Sequence, residues 1–386
     1  MPDLTRLRAA PYSFLACLSW GTRALILLLL LQGLVPAPPR APLDVPQRVN
    51  TAQPKLCMHT RLIDEVEEWK IQRSLQLIRE MGASTIVEFL PWAYIETSDN
   101  FYDWHNVDRI VRHAQNQGIR IIARMGLVPA WVRQRDTENV GLTTLNTLPR
   151  AAYPDFAEFV SAFAGRYQGV IDQIVIWNEP NLAFEWGFSA VSPVGYADLL
   201  RTVYRSAHAA NPDVEILAAG LAPTLEPEGS PHGLNDVSYL EALYDAEASD
   251  FFDALAVHTY GFTHPAEAAA SPDVLNFRRA ELLREVMVRN GDGDKPVYVT
   301  ETGWNDHPRW IHAVTPAQRV AYTLDALRFT EKNWQWAERI CLWVFRYPQP
   351  TLSYPDHFTF ADTVFQLHPI YYEVQAYARS GIVEAR

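Results

Sequence analysis

From residue 56 onward, short apolar runs alternate with longer amphipathic stretches. LCMH (56–59) comes first. A stretch with Ile71, Leu75 and Ile78 on one face follows, and Gly82 is placed to cap it. STIVEFL (84–90) precedes a helical stretch over 107–117 that Gly118 closes, and IRIIARM (119–125) comes next. Phe156, Phe159, Val160, Phe163 and Tyr167 recur at helical spacing, and IDQIVIW (171–177) reads as a strand. The alternation continues with a helix carrying Leu199, Leu200, Val203, Tyr204 and Ala207, the run VEILAAG (214–220), a short helix over 239–244 and DALAVH (253–258). A helix with Leu282, Leu283, Val286 and Met287 then precedes PVYVTE (296–301). The next helix starts at Thr315-Pro316, an N-cap and first-turn pair, and carries Val320, Leu324 and Leu327. ICLWVF (340–345) and a helix ending near Ser380 complete the series. Parallel strands covered on both faces read as continuous apolar runs. Eight strand–helix units predict a (β/α)8 TIM barrel as a single catalytic domain. An open doubly wound sheet is the alternative, but no GxGxxG follows the first strand.

The first 47 residues do not join this pattern. ALILLLLLQGLV (24–35) follows Arg6, Arg8 and Arg23 and precedes the proline-rich PAPPRAPLDVP. A basic start, a short apolar core and small residues after it make a secretory leader. Val35 and Ala37 stand at cleavage positions, with Pro38 next to them. The run from Pro11 to Trp20 would lengthen the core toward a signal anchor, so both a cleaved leader and a membrane tether remain open. Either way the globular part is expected outside the cytoplasm. Residues 1–47 are set apart as leader and extended linker, and 48–386 as the barrel.

Composition narrows the chemistry. Of 386 residues, 48% are hydrophobic and 20% charged, a globular balance. The net charge of −12 opposes phosphate backbones, so nucleic acid is not an expected partner. With 12 Trp and 17 Tyr, the aromatics either fill a large core or line a cleft with flat rings. Cys17 falls in the leader. Cys57 and Cys341 sit in apolar runs and read as buried core thiols, with a disulfide between them as the lesser alternative. No CxxC, GxSxG or Walker motif occurs, and the Gly-rich GDGD (291–294) reads as a turn. His59 ends the first strand alone, without the HxH pair of a metal-dependent barrel hydrolase, so neither metal nor cofactor is expected.

The catalytic face of a parallel barrel is built at the C-terminal ends of its strands. Asn178 and Glu179 end the fourth strand in IVIWNEPN, and Glu301 ends the seventh in VYVTETGW. Two carboxylates across one barrel mouth suit glycosidic bond cleavage, one protonating the leaving oxygen and the other attacking the anomeric carbon. The proline after Glu179 restrains the backbone where a side chain has to be aimed. A single strand-end glutamate is more often a structural ion-pair partner. Two, each flanked by an apolar strand and a Trp, point to a site.

IWNEPN with the later VTETGW is similar to the signature pair of clan A glycoside hydrolases, which include family 5 cellulases and family 39 xylosidase-like enzymes. The likeness runs through the chain after residue 50, in FLPWAYIE (89–96), FYDW (101–104), RMGLVPAW (124–131), AVHTYG (256–261) and the Trp-bearing last strand. It implies a carbohydrate substrate, Glu179 as general acid/base, Glu301 as nucleophile and retention of anomeric configuration, with the carboxyls roughly 5 Å apart. It further implies that Asn178 binds the sugar 2-hydroxyl, that His258 and Tyr260 position nucleophile and ring, and that Trp343 floors the cleaved subsite. The family 5 pattern of an Arg and a His on early strands is not kept.

Trp92, Trp131 and Trp304 lie just past strands two, three and seven, where sugar stacking and packing under loops are both available. Trp186, after strand four, is placed to reach a further subsite. Trp334 and Trp336 read as packing. Glu88 and Arg124 either bind sugar hydroxyls or pair with each other inside the barrel. The resulting expectation is a retaining hydrolase of β-linked sugars. The alternatives are a non-catalytic carbohydrate-binding barrel and a transglycosidase using the same site.

Overall fold

Each apolar run becomes a parallel strand in the computed structural model, which describes residues 47–135 and 144–380. The strands are β1 (Leu56–Thr60), β2 (Thr85–Pro91), β3 (Arg120–Gly126), β4 (Gln173–Ile176), β5 (Glu215–Ala218), β6 (Ala254–Tyr260), β7 (Val297–Gly303) and β8 (Ala337–Leu342). The long helices alternate with them: α1 (Glu68–Met81), α2 (His105–Gln117), α3 (Tyr153–Arg166), α4 (Pro193–Ala210), α5 (Asp236–Asp245), α6 (Ala280–Arg289), α7 (Pro316–Asn333) and α8 (Pro369–Arg379). Each strand pairs with its neighbours in sequence, and β1 closes the barrel against β8. The topology is a (β/α)8 barrel, as the pattern predicts.

Local chemistry sets the helix ends. Gly82 and Gly118 terminate α1 and α2 in the left-handed region, at φ of 101° and 66°. Thr315 and Gln318 form a reciprocal capping box at the start of α7.

Two apolar layers follow from strand alternation. Cys57, Val87, Ile122, Val175, Leu217, Ala254, Ala256, Tyr298 and Cys341 fill the barrel interior, at least one from every strand. The opposite faces meet the helices, where Phe156, Phe159 and Phe163 of α3 are wholly buried. Burying such a ring stabilises the fold by roughly 1.5–3 kcal/mol.

The two interior cysteines require a correction. They are not free thiols. Cys57 and Cys341 lie in register on β1 and β8 and are joined by a disulfide. Across a separation of 284 residues nothing local favours the pairing over free thiols, and closure of the barrel seam creates it. The leader, the linker and Cys17 lie outside the described residues. Among the described residues no helix is long and apolar enough to cross a membrane.

Candidate active site

The mouth of the barrel begins at the end of β4. The strand stops at Ile176, and Trp177 and Glu179 take positive φ values of 79° and 40°. Such conformations are costly for residues other than glycine and persist where surrounding structure enforces them. Here Trp177 N–H donates to the Met125 carbonyl (3.0 Å), Glu179 N–H to the Gly220 carbonyl (3.0 Å), and the Trp177 indole to the Glu185 carbonyl (2.9 Å). Asn181 bonds both the amide and the carbonyl of Ala222, tying this turn to the loop after β5. The NEPN turn is therefore a fixed bend that aims Asn178 and Glu179 into the cleft.

Three strands, β1, β3 and β6, deliver the groups around Glu301 of β7. Tyr260 donates its hydroxyl to Oε2 at 2.7 Å, and His258 Nδ1 lies 3.7 Å from the same oxygen. His59 Nε2 and Arg124 Nη1 lie 3.6 and 3.7 Å from Oε1. His258 Nδ1 also donates to Glu179 Oε1 at 2.8 Å, so one imidazole bridges the two carboxylates. Glu179, His258 and Glu301 each place an atom within 4.8 Å of the other two. Arg124 donates to Asn178 Oδ1, which turns the amide nitrogen of Asn178 the other way. Gly220 backs His258: a Cβ there would come within 2.3 Å of the ring.

Electrostatics assign the proton positions. Burial by itself lowers the His258 pKa, but the charge of Glu301 and the hydrogen bond and charge of Glu179 outweigh it, and the net shift is upward. His59 is driven well below the ordinary histidine range by burial, reinforced by the charges of Arg124, Arg61 and His258. It is therefore neutral, with Nδ1 bonded to the Thr60 carbonyl (3.1 Å) and its ring edge against Trp343. Burial and the charges of Glu301 and Glu179 hold the Tyr260 hydroxyl well above its usual range, so it remains a proton-bearing donor.

Glu179, His258 and Glu301 are also the group of donors that could approach a cation among the described residues. The His258 nitrogen that faces both carboxylates is the one that carries the bridging proton. The arrangement fits a proton donor held between two carboxylates better than a metal ligand set.

The cleft encloses about 450 Å³ and is lined by Asn178, Glu179, Tyr260, Glu301 and Trp343, together with Arg124. Sequence reasoning missed Arg61, Glu185, Phe262, Trp310, His312, Tyr347, Tyr354 and Phe358 as further lining residues, all carried by segments after the strands, Tyr354 and Phe358 on a short 3-10 helix. Trp310 stacks on Tyr354 with centroids 4.8 Å apart and rings 16° from parallel.

Three tryptophans for which sugar stacking and packing were both available do not line the cleft. Trp92 is fully buried, donates to Glu96 at 2.6 Å and packs on Phe156 and Phe159. Trp131 donates to the Glu96 carbonyl and lies between Trp92 and Arg135. Trp304 is buried against Phe277, donates to the His264 carbonyl and fills the space left by Gly261. Trp186 reaches no subsite either: it packs on Trp177 and Tyr196. Trp334 stacks on Phe277 and Trp336, as expected of packing.

Glu88 and Arg124 do not pair. Val87 faces the barrel interior, so Glu88 faces outward, while Arg124 sits over Phe89 on the inner side, 4.5 Å from the ring centre. Glu88 accepts from the Leu62 and Ile63 amides at 3.1 and 2.9 Å and from the Thr60 hydroxyl. Burial pushes its pKa up to about 7 against these bonds. The native state thus holds this proton after the unfolded chain has lost it, and stability falls as pH rises from about 4.5 to 7. Glu88→Gln removes that dependence. Its stability relative to the parent, from urea unfolding, should improve by about 3 kcal/mol between pH 4.5 and pH 8. A difference that stays constant across this range would refute the assignment.

No family model matches the chain, and no curated protein does. Solved structures do resemble it. A family 39 glycoside hydrolase from Bacteroides cellulosilyticus WH2 is 19% identical with a TM-score of 0.66, over 87% of this chain and 66% of that one. A family 5 subfamily 18 protein from Bifidobacterium longum, in complex with Manβ1-4GlcNAc, is 13% identical with a TM-score of 0.60, over 85% of this chain and 79% of that one. A psychrophilic family 10 endo-β-1,4-xylanase is 14% identical with a TM-score of 0.53, over 83% of this chain and 96% of that one. The chain therefore spans just under two thirds of the family 39 protein and most of the other two. In fold, it stands with the (β/α)8 glycoside hydrolases.

Proposed function

We propose that this chain is a retaining glycoside hydrolase acting on β-linked oligo- or polysaccharides. The observation that carries the reading is the pair Glu179 and Glu301, with carboxylate oxygens within 4.8 Å and one imidazole between them. A separation near 5 Å leaves no room for water between a carboxylate and the anomeric carbon, and it suits direct attack. Glu301 Oε attacks the anomeric carbon while Glu179, which enters this step in its protonated form, gives its proton to the departing oxygen. The glycosyl ester on Glu301 is then displaced by water, whose proton Glu179 takes. Two inversions give net retention and return both groups to their starting states.

The remaining groups act on this pathway. Tyr260 and Arg124 hold the Glu301 oxygens. Asn178, its oxygen occupied by Arg124, presents its amide nitrogen to the sugar. Trp343 offers a half-buried ring as the subsite floor. The leader over 24–35 supports a place outside the cytoplasm, and the Cys57–Cys341 bond suits an oxidising compartment.

The test is a panel of β-linked oligosaccharides and aryl glycosides, with β-1,4 xylosides and mannosides first, given to protein starting at residue 48. The panel follows the substrates for which a β-xylosidase from Caulobacter crescentus and an exo-β-1,4-mannosidase, both similar in structure, are named. Release of reducing sugar supports the reading. Binding without release across the panel favours a carbohydrate-binding barrel.

A further inference from the structure

We propose that Glu185 is a specificity residue on the leaving-group side of the cleft, where its carboxylate accepts a hydrogen bond from a donor on the departing sugar. The inference rests on the reading of Glu179 as the proton donor to the leaving oxygen.

Position supports it first. Glu185 lines the cleft six residues after Glu179, on the same loop, together with Ala222 and Pro223 from the loop after β5. Glu185 thus stands with Glu179 on the β4–β5 side of the mouth, across the closed barrel from β8 and β1. Trp343, Tyr347 and Arg61 line the cleft from the β8 and β1 ends. If Glu179 protonates the leaving oxygen, the space between Glu185 and Pro223 receives the leaving group.

The chemistry is the second support. The backbone carbonyl of Glu185 is fixed by the Trp177 indole, and Asn146 donates to its Oε2 at 3.1 Å. Asn178 also steadies its ionised form. A carboxylate has about four acceptor sites, so capacity remains for a ligand. Burial and repulsion from Glu179 raise its pKa to about 7. Keeping a third carboxylate beside two others is costly, and no cation pairs with Glu185 among the described residues' salt bridges. A sugar donor arriving in the cleft would meet an acceptor already desolvated and aimed. The leaving group recognised is therefore a sugar bearing a hydroxyl or N–H donor, not a small alcohol.

The experiment uses a disaccharide and an aryl glycoside of the sugar that the panel identifies, with the parent, Glu185→Gln and Glu185→Ala. The kcat/KM ratio of disaccharide to aryl glycoside should fall at least tenfold in both variants. Disaccharides also depend more on proton donation, so a second readout isolates binding. With the aryl glycoside as donor and the methyl glycoside as acceptor, transfer competes with hydrolysis, and any change at Glu179 affects both alike. The acceptor concentration at which transfer equals hydrolysis should rise at least fivefold. Parallel losses on both substrates, or an unchanged partition, would overturn the inference and leave the hydrolase reading standing. A parent protein that cleaves neither substrate overturns the hydrolase reading, and this inference with it.

Discussion

Glu301→Gln should lower kcat by a factor on the order of 10⁴ or more while the protein still binds sugar. The substitution keeps the shape of a side chain that is only 6% exposed and is held by Tyr260, with Arg124, His59 and His258 close by. On the proposed mechanism it removes the charge that attacks the anomeric carbon, and the other two carboxylates at the mouth, Glu179 and Glu185, are assigned to the leaving-group side. Glu301→Ala opens space for a small anion. Azide added to this variant should react directly with an activated β-glycoside and give the α-glycosyl azide. Steady-state kinetics and product analysis check both parts. Activity of Glu301→Gln within tenfold of the parent would remove Glu301 from the nucleophile role.

Glu179→Ala is expected to have the second-largest effect, and one that depends on the substrate. Proton donation contributes about 10²–10⁴-fold, and its share grows with the basicity of the leaving group. Sugars linked through poor leaving groups should therefore lose that full factor. Activated aryl glycosides should form the glycosyl ester readily and then stall, because no base remains to deprotonate water. Azide needs no base, so it should restore turnover and give the β-glycosyl azide. The two variants thus predict azides of opposite configuration. The same azide from both would contradict the division of roles.

The fold was legible in the sequence because a barrel strand advertises itself. It is apolar on both faces, and turn residues bound it. All eight runs become strands, although IDQIVIW is shortened to Gln173–Ile176 by the bend at Trp177. The brief hairpin of Glu96–Ser98 with Phe101–Tyr102 is too short to show a period. Position at a strand end also located Asn178, Glu179, His258, Tyr260 and Glu301, since the topology carries every strand end to one mouth.

What failed depended on side-chain direction and on distant contacts. A Trp just past a strand can turn into the cleft or back beneath the loop. Trp343 does the first, and Trp92 and Trp304 do the second, because Phe156, Phe159 and Phe277 offer them apolar partners. The aromatic rim of Phe262, Trp310, Tyr354 and Phe358 comes from loops and one 3-10 helix too short to show a period. Glu185 did leave a signal, a lone acid between Phe184 and Trp186, but attention falls on the neighbouring tryptophan.

The most direct test of the two-carboxylate account is the configuration of the first product. Proton NMR of the anomeric region, recorded as a β-linked substrate is cleaved and before mutarotation equilibrates the sugar, reads it without assumptions about any residue. The account predicts that the β-anomer appears first and the α-anomer grows in later. An α-anomer formed first would mean single displacement by water, and it would contradict the role of Glu301 as nucleophile.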